Sequence, residues 1–189
     1  MTGHAYVGTL QHVDVMDELR YLILAAQREG TRAFAASLRP HRLTPAQAEA
    51  VEVLAVAVRP LTVKELGERL VCEHGSPSRL VRTLADKGLV ESSADDRDGR
   101  ATRLRLTGEG RAAVTHVAEA KRELDAMVTS ILDRSEAKRL CRLLRNLVGN
   151  LPSGRALARR LASEGPLSGA AVTTNEPGTP DLRIPRDAS

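Results

Sequence analysis

The sequence predicts a mainly α-helical protein carrying one small β-hairpin, and three observations predict it. Helix-start signals recur along most of the chain, at Thr44-Pro45, Thr62 with Glu65, Ser76-Pro77, Thr107 and Ser135. Short strand-like runs occur at residues 89–93 and 102–106, with Asp98-Gly99 as a hairpin turn between them. A chain of 189 residues that is 42% hydrophobic and 28% charged also has room for one core that needs neither disulfides nor a structural metal.

Asp14 is placed to cap a first helix whose Val15, Leu19, Leu22, Ile23 and Ala26 keep helical spacing, with a weak point at Gly30 and an end before Pro40. Thr44, Pro45 and Gln47 make a capping box with proline at the first helical position, ahead of Val51, Leu54 and Ala55. Thr62 and Glu65 form a second box, with Leu61 and Leu66 as its hydrophobic staple, opening a short helix through Leu70. Only residues 71–75 separate it from the next helix, which starts at Ser76-Pro77 and stops at Gly88. After the hairpin, Thr107 caps a long helix bearing Val114, Val117, Leu124, Met127, Val128 and Ile131. Ser135 is expected to cap another, carrying Leu140, Leu143, Leu144, Leu147 and Val148.

The division expected is a folded unit over residues 1–151 and a basic, proline-rich, disordered tail over 152–189, although residues 153–163 have the makings of one more short helix. Five of the nine prolines fall in those last 38 residues, and periodicity is lost from Thr173 onward. Within the folded unit, residues 43–107 would be the hairpin-bearing lobe, and helices near 13–38 and 108–150 would pair with a second copy.

Helix, tight turn, helix and two-stranded hairpin is the order of a winged helix-turn-helix. In its second helix Pro77, Leu80, Val81 and Leu84 form a buried stripe, while Ser76, Ser78, Arg79, Arg82 and Thr83 share the opposite face. A helix of that width enters the DNA major groove, where arginine can donate two hydrogen bonds to a guanine edge. Arg97, Arg100 and Arg103 lie on or beside the hairpin, suited to phosphate or a narrow minor groove. The whole-chain charge of +4 does not announce a polyanion partner, so position carries the reading.

Over 43–110 the sequence resembles the core of the multiple-antibiotic-resistance regulator (MarR) family. The resemblance rests on Leu43-Thr-Pro-Ala-Gln47, Leu61-Thr-Val-Lys-Glu-Leu66 with Leu70, Ser78-Arg79 with Leu84, Lys87-Gly-Leu-Val90, Asp95-Asp-Arg-Asp-Gly-Arg100 and Leu106-Thr-Gly-Glu-Gly110. It implies a homodimer built from the first and last helices that binds a near-palindromic double-stranded operator and represses nearby genes. It also implies DNA contacts from Ser76, Ser78, Arg79 and Arg82 on the recognition helix and from Arg97 and Arg100 on the wing. Gly75 and Pro77 depart from the serine and aliphatic residues more usual in the family at the start of that helix. A small phenolic or otherwise anionic effector in a cleft beside the dimer region completes what the family implies.

Other classes fare worse. Three aromatic residues, Tyr6, Tyr21 and Phe34, argue against a base-stacking single-strand binder. No glycine-rich phosphate loop or nucleophile elbow is present, so no enzyme and no cofactor is expected. No metal is expected either, because His4, His12, His41, His74 and His116 are scattered in sequence and His116 with Glu119 reads as a solvated pair. Cys72 and Cys141 read as core residues. With no apolar run long enough to span a bilayer and no basic-then-apolar leader, a cytoplasmic protein without membrane contact is expected. The rival from another class is a winged-helix protein-interaction module without specific DNA binding.

Overall fold

The computed structural model describes residues 14–72, 76–94 and 102–164. Helix α1 (Val15–Leu38) runs into a 3-10 turn (Arg39–His41), followed by α2 (Pro45–Ala55), strand β1 (Leu61–Thr62) and α3 (Val63–Gly67). The order continues with α4 (Pro77–Asp86), β2 (Val90–Ala94), β3 (Thr102–Leu106), α5 (Gly108–Thr129), α6 (Arg134–Val148) and α7 (Pro152–Glu164).

Local chemistry sets most of the boundaries. The Thr44 and Thr62 boxes are closed on both sides, each threonine accepting from the N3 amide while the N3 side chain, Gln47 or Glu65, accepts from the threonine amide. Ser76 and Thr107 accept from the backbone N–H of Arg79 and Gly110. Gly88, at φ +69°, ends α4 in the left-handed region that favours glycine. Two expected caps differ. Asp14 occupies the N-cap position of α1 without a side-chain cap bond. The cap of α6 is Asp133 rather than Ser135: its carboxylate takes the Ser135 and Glu136 amides, and Glu136 returns the bond.

The hairpin acquires a third strand. β1 pairs with β3 through Leu61 opposite Leu104, and β2 pairs with β3 from Val90 opposite Leu106 to Ala94 opposite Thr102, so the antiparallel order is β1-β3-β2. Leu61 is thus at once the staple of α3 and an edge-strand residue. The core lies between this sheet, the helix-turn-helix and α5, with Val51, Leu66, Leu84, Leu104 and Val117 almost without exposed surface. Burying side chains of that size contributes roughly 1.5–3 kcal/mol each.

Gly110 shows how tightly α5 leaves the sheet. A Cβ at that position would sit 2.0 Å from the Leu89 carbonyl oxygen, so the first turn of α5 lies directly on the backbone entering β2.

Outside this core the helices are poorly covered. α6 buries none of its residues, and Leu140, Leu143, Leu144 and Leu147 are exposed along it. Val15, Met16, Leu19 and Leu22 on α1 are exposed too. Cys72 and Cys141 are both exposed, which corrects their assignment to the core. Partial burial of the thiol and the nearby Glu49 carboxylate nevertheless push the Cys72 pKa up to about 11, so it stays a protonated, weakly nucleophilic thiol at neutral pH. Among the described residues no helix is long and apolar enough to cross a membrane.

α7 corresponds to the short helix that residues 153–163 had the makings of, in place of a disordered tail from residue 152. Pro152 takes the first helical position, Gly154 and Ala156 are buried, and the helix reaches Glu164. Its arginines find carboxylate and carbonyl partners on the helix-turn-helix and at its own start, which is the reason the basic composition does not leave it loose. Residues 165–189 lie outside the described residues.

Candidate nucleic-acid interface

The sequence pattern of α4 separates its two faces as expected. Leu80 and Leu84 are buried against the core, while Ser78, Arg79 and Arg82 on the other side are exposed. Their side chains stand at the start and middle of the helix, where serine and arginine donors suit phosphate or base-edge acceptors.

Three of the other expected contact residues have structural work. The Ser76 hydroxyl is the N-cap and accepts from the Arg79 amide at 3.4 Å. The Thr83 hydroxyl donates to the Leu80 carbonyl at 2.8 Å and accepts from Gln47 Nε2 at 3.3 Å. Arg103 Nη1 donates to the Pro60 carbonyl and to Glu65 Oε2, both at 3.2 Å. Arg97 and Arg100 lie outside the described residues.

Gln47 was legible only as a capping residue, yet it organises the reading head. Only 6% exposed, it accepts from the Thr44 amide at 3.1 Å and from Lys87 Nζ at 2.8 Å through Oε1, and it donates to Thr83. Lys87 Nζ also donates to the Arg42 carbonyl at 2.5 Å. The start of α2 is therefore tied to both the middle and the end of α4.

A second buried polar residue holds the other end of the motif. Glu49, 4% exposed, accepts from the backbone N–H groups of Val71 and Cys72 at 2.8 Å each, fixing the start of the turn between α3 and α4. Arg160 of α7 donates to Glu49 at 3.0 Å and to Glu52 at 2.5 Å, and Arg159 reaches the Glu68 carbonyl at 3.5 Å. Helical spacing in α2 places Glu49 and Glu52 on one side, and that i, i+3 carboxylate pair was the available sequence signal.

At the wing root Glu65 gathers Arg59 and Arg103. Arg59 above all, together with the Thr62 amide, holds the Glu65 carboxyl down to about 2. It is an anion across the whole range in which the protein would meet DNA.

Two of the cavities bordering this lobe bring polar and apolar groups together. One of about 580 Å³ lies between the end of α2, the sheet and α5, with Leu54, Val58, Leu104 and Val114 on its apolar side and Arg105 and Arg111 on its polar side. The other, of about 380 Å³, is lined by His41, Arg42, Asp86, Lys87, Leu89 and His116. His41 and His116, read as scattered in sequence, are brought together there with their rings stacked at 3.9 Å.

Exposed arginines on a capped helix, set against a three-stranded wing root, define a winged-helix DNA-binding protein. Residues 43–110 match the family model described as a winged helix DNA-binding domain. The chain is 27% identical over 99 residues, 52% of its length and 67% of the relative's, to an organic hydroperoxide resistance transcriptional regulator of Bacillus subtilis. Among solved structures it is similar to a probable transcriptional regulator from Pseudomonas aeruginosa, at TM-score 0.63 and 27% identity over 70% of this chain and 98% of that one. It is also similar to a cysteine-to-serine mutant of E. coli MarR complexed with operator DNA, at TM-score 0.63 and 25% identity over 70% of this chain and 95% of the other. Residues 43–110 are thus a winged helix DNA-binding domain, and the chain is similar to transcriptional regulators of the MarR type.

Proposed function

We propose that the chain is a cytoplasmic homodimeric repressor that reads a near-palindromic duplex operator and is released by a small phenolic or anionic effector, acting without catalysis. The observation that carries the DNA reading is the division of α4: Leu80 and Leu84 are buried while Ser78, Arg79 and Arg82 are exposed. In this reading those three side chains meet the major groove, and Arg97 and Arg100 meet phosphate or the minor groove. Ser76, Thr83 and Arg103 act one step back, holding the helix and wing in position.

The exposed apolar residues of α1 and α6 support pairing with a second copy, since so much apolar surface on a small chain marks an interface. The 580 Å³ cavity supports an effector, because its volume lies in the ligand range and Arg105 and Arg111 would meet an anionic group. Selection of bound duplexes from a random pool, followed by fluorescence anisotropy on the selected site, tests the proposal. A two-fold symmetric consensus, with affinity lowered by benzoates or phenols, is expected. Equal binding to all duplexes would refute operator recognition, and affinity indifferent to those compounds would refute that effector class.

A further inference from the structure

Beside the second cavity, which His41 and His116 line, Glu119 completes a set of three side chains able to bind a metal ion. His41 lies at the end of the 3-10 turn, and His116 and Glu119 lie one turn apart on α5; one potential ligand atom from each falls within 4.8 Å of the other two. His116 Nδ1 is buried and has no hydrogen-bond partner. It stands 3.7 Å from Glu119 Oε2, too far for a hydrogen bond. That spacing is close to the roughly 3.3 Å that separates two donors bound at about 2.05 Å to one tetrahedral ion.

We propose that His41, His116 and Glu119 form a binding site for one borderline divalent cation of the zinc class per chain. Two imidazoles and a carboxylate are the donor set such ions prefer, and three protein donors leave the fourth position to water. The bound ion and one carboxylate leave a net charge of +1, beside a cavity wall that carries Asp86 together with Arg42 and Lys87.

The surroundings bear on the fit. The two rings stack at 3.9 Å with planes 13° apart, so their in-plane lone pairs run parallel and one ring must turn to meet the ion. His41 is the ring able to do so, being carried on a surface turn rather than on a helix. The turn itself is held: Arg42 adopts left-handed φ 57°, and Lys87 grips its carbonyl at 2.5 Å. The Lys87 ammonium is thereby held on two neutral oxygens, the Arg42 carbonyl and Gln47 Oε1. Arg122 lies 3.7 Å from Glu119 Oε1, which leaves Oε2, the oxygen nearest His116, to the ion. Occupancy would cross-link the end of α1 to α5 beside the last residues of α4.

The test uses the full chain with metal ions alone and no DNA, so its failure leaves the operator reading untouched. Zinc competition against a chromophoric chelator should show one equivalent per chain, and cobalt(II) should give the visible spectrum of a four-coordinate nitrogen–oxygen site. His41→Gln, His116→Gln and Glu119→Gln should each weaken binding by about a hundredfold, the upper end of what loss of even an outer-sphere partner costs. Their circular dichroism should stay at wild type, because none of the three is in the core, and His12→Gln and His74→Gln should keep full affinity. Absence of uptake at micromolar metal overturns the site. So does uptake that survives both His41→Gln and His116→Gln.

Discussion

Arg160, near the end of α7, lies 3.0 Å from Glu49, in the middle of α2 and 111 positions away in sequence. The same carboxylate takes the backbone amides of Val71 and Cys72. One buried anion therefore joins the C-terminal helix to the turn that aims the recognition helix. With Arg160 at 16% and Glu49 at 4% side-chain exposure, the pair is largely removed from water.

Breaking it should be costly in one direction. Arg160→Ala strands Glu49 without its counter-charge, and removing one partner of a buried pair costs about 3–5 kcal/mol. The double variant Arg160→Met with Glu49→Gln should lose less, because no uncompensated charge remains. Urea unfolding of the three proteins measures this, and equal stability of Arg160→Ala and wild type would refute it.

Truncation separates the role of α7 from that of residues 165–189. A chain ending at Leu151 should lose thermal stability and operator affinity together, since Glu49 loses Arg160 and the Glu68 carbonyl loses Arg159. A chain ending at Glu164 should match the full protein in both. Scanning calorimetry and anisotropy on the same samples check the two outcomes. An unaffected Leu151 truncation would make α7 dispensable.

Acid should act through Glu65. Its carboxyl falls from an ordinary value near 4.5 to about 2 in the folded protein, so the unfolded chain binds the proton more readily. The stability Glu65 contributes is fully present above about pH 5 and is lost as pH drops toward 2. Glu65→Gln should lower stability at pH 7 and flatten the decline between those limits, as read from thermal midpoints across pH. An unchanged slope would show that the Arg59 and Arg103 contacts do not favour the anion.

On the DNA side, Arg79→Ala should cost about 1–3 kcal/mol on the selected operator and relax preference at one symmetric pair of positions. Arg100→Ala should weaken specific and random duplexes alike and reduce the salt slope by about 1. Equal loss on both duplexes for Arg79→Ala would make it a phosphate contact.

Pairing should depend on α6. Leu143→Asp with Leu147→Asp places charges on a face that is exposed in the single chain, and should leave the monomer folded while abolishing self-association. Light scattering should then give 20.4 kDa for the variant and twice that for the parent. A monomeric parent would remove the two-fold reading.

What the sequence disclosed was what neighbours in the chain decide. The Thr44–Gln47 and Thr62–Glu65 boxes, the Ser76 and Thr107 caps and the Gly88 stop each need only three or four residues, and each appears where the residues put it. β1 did not show itself, because two residues have no period and their partner strand lies about forty positions on. The contact of Arg103 with Glu65 was hidden because Glu65 was visible only as a cap. The meetings of Glu49 with Arg160 and of His41 with His116 are products of packing, invisible to any local pattern. The helical makings of α7 were legible over 153–163, but its docking was not: nothing local shows that Arg160 is received by carboxylates on α2.

The closeness of Gly110 to the Leu89 carbonyl changes how the Leu106-Thr-Gly-Glu-Gly110 signature should be understood. A motif that helps mark kinship with DNA-binding relatives would ordinarily invite assignment of its residues to DNA. Here its last member lies against the protein itself, the Leu89 carbonyl above all, where even one methyl group would collide at 2.0 Å. Selection for any operator, however its bases change, would still keep that position empty. The signature is thus inherited as a clearance between two backbones, and recognition can diversify around it while the letter itself stays the same.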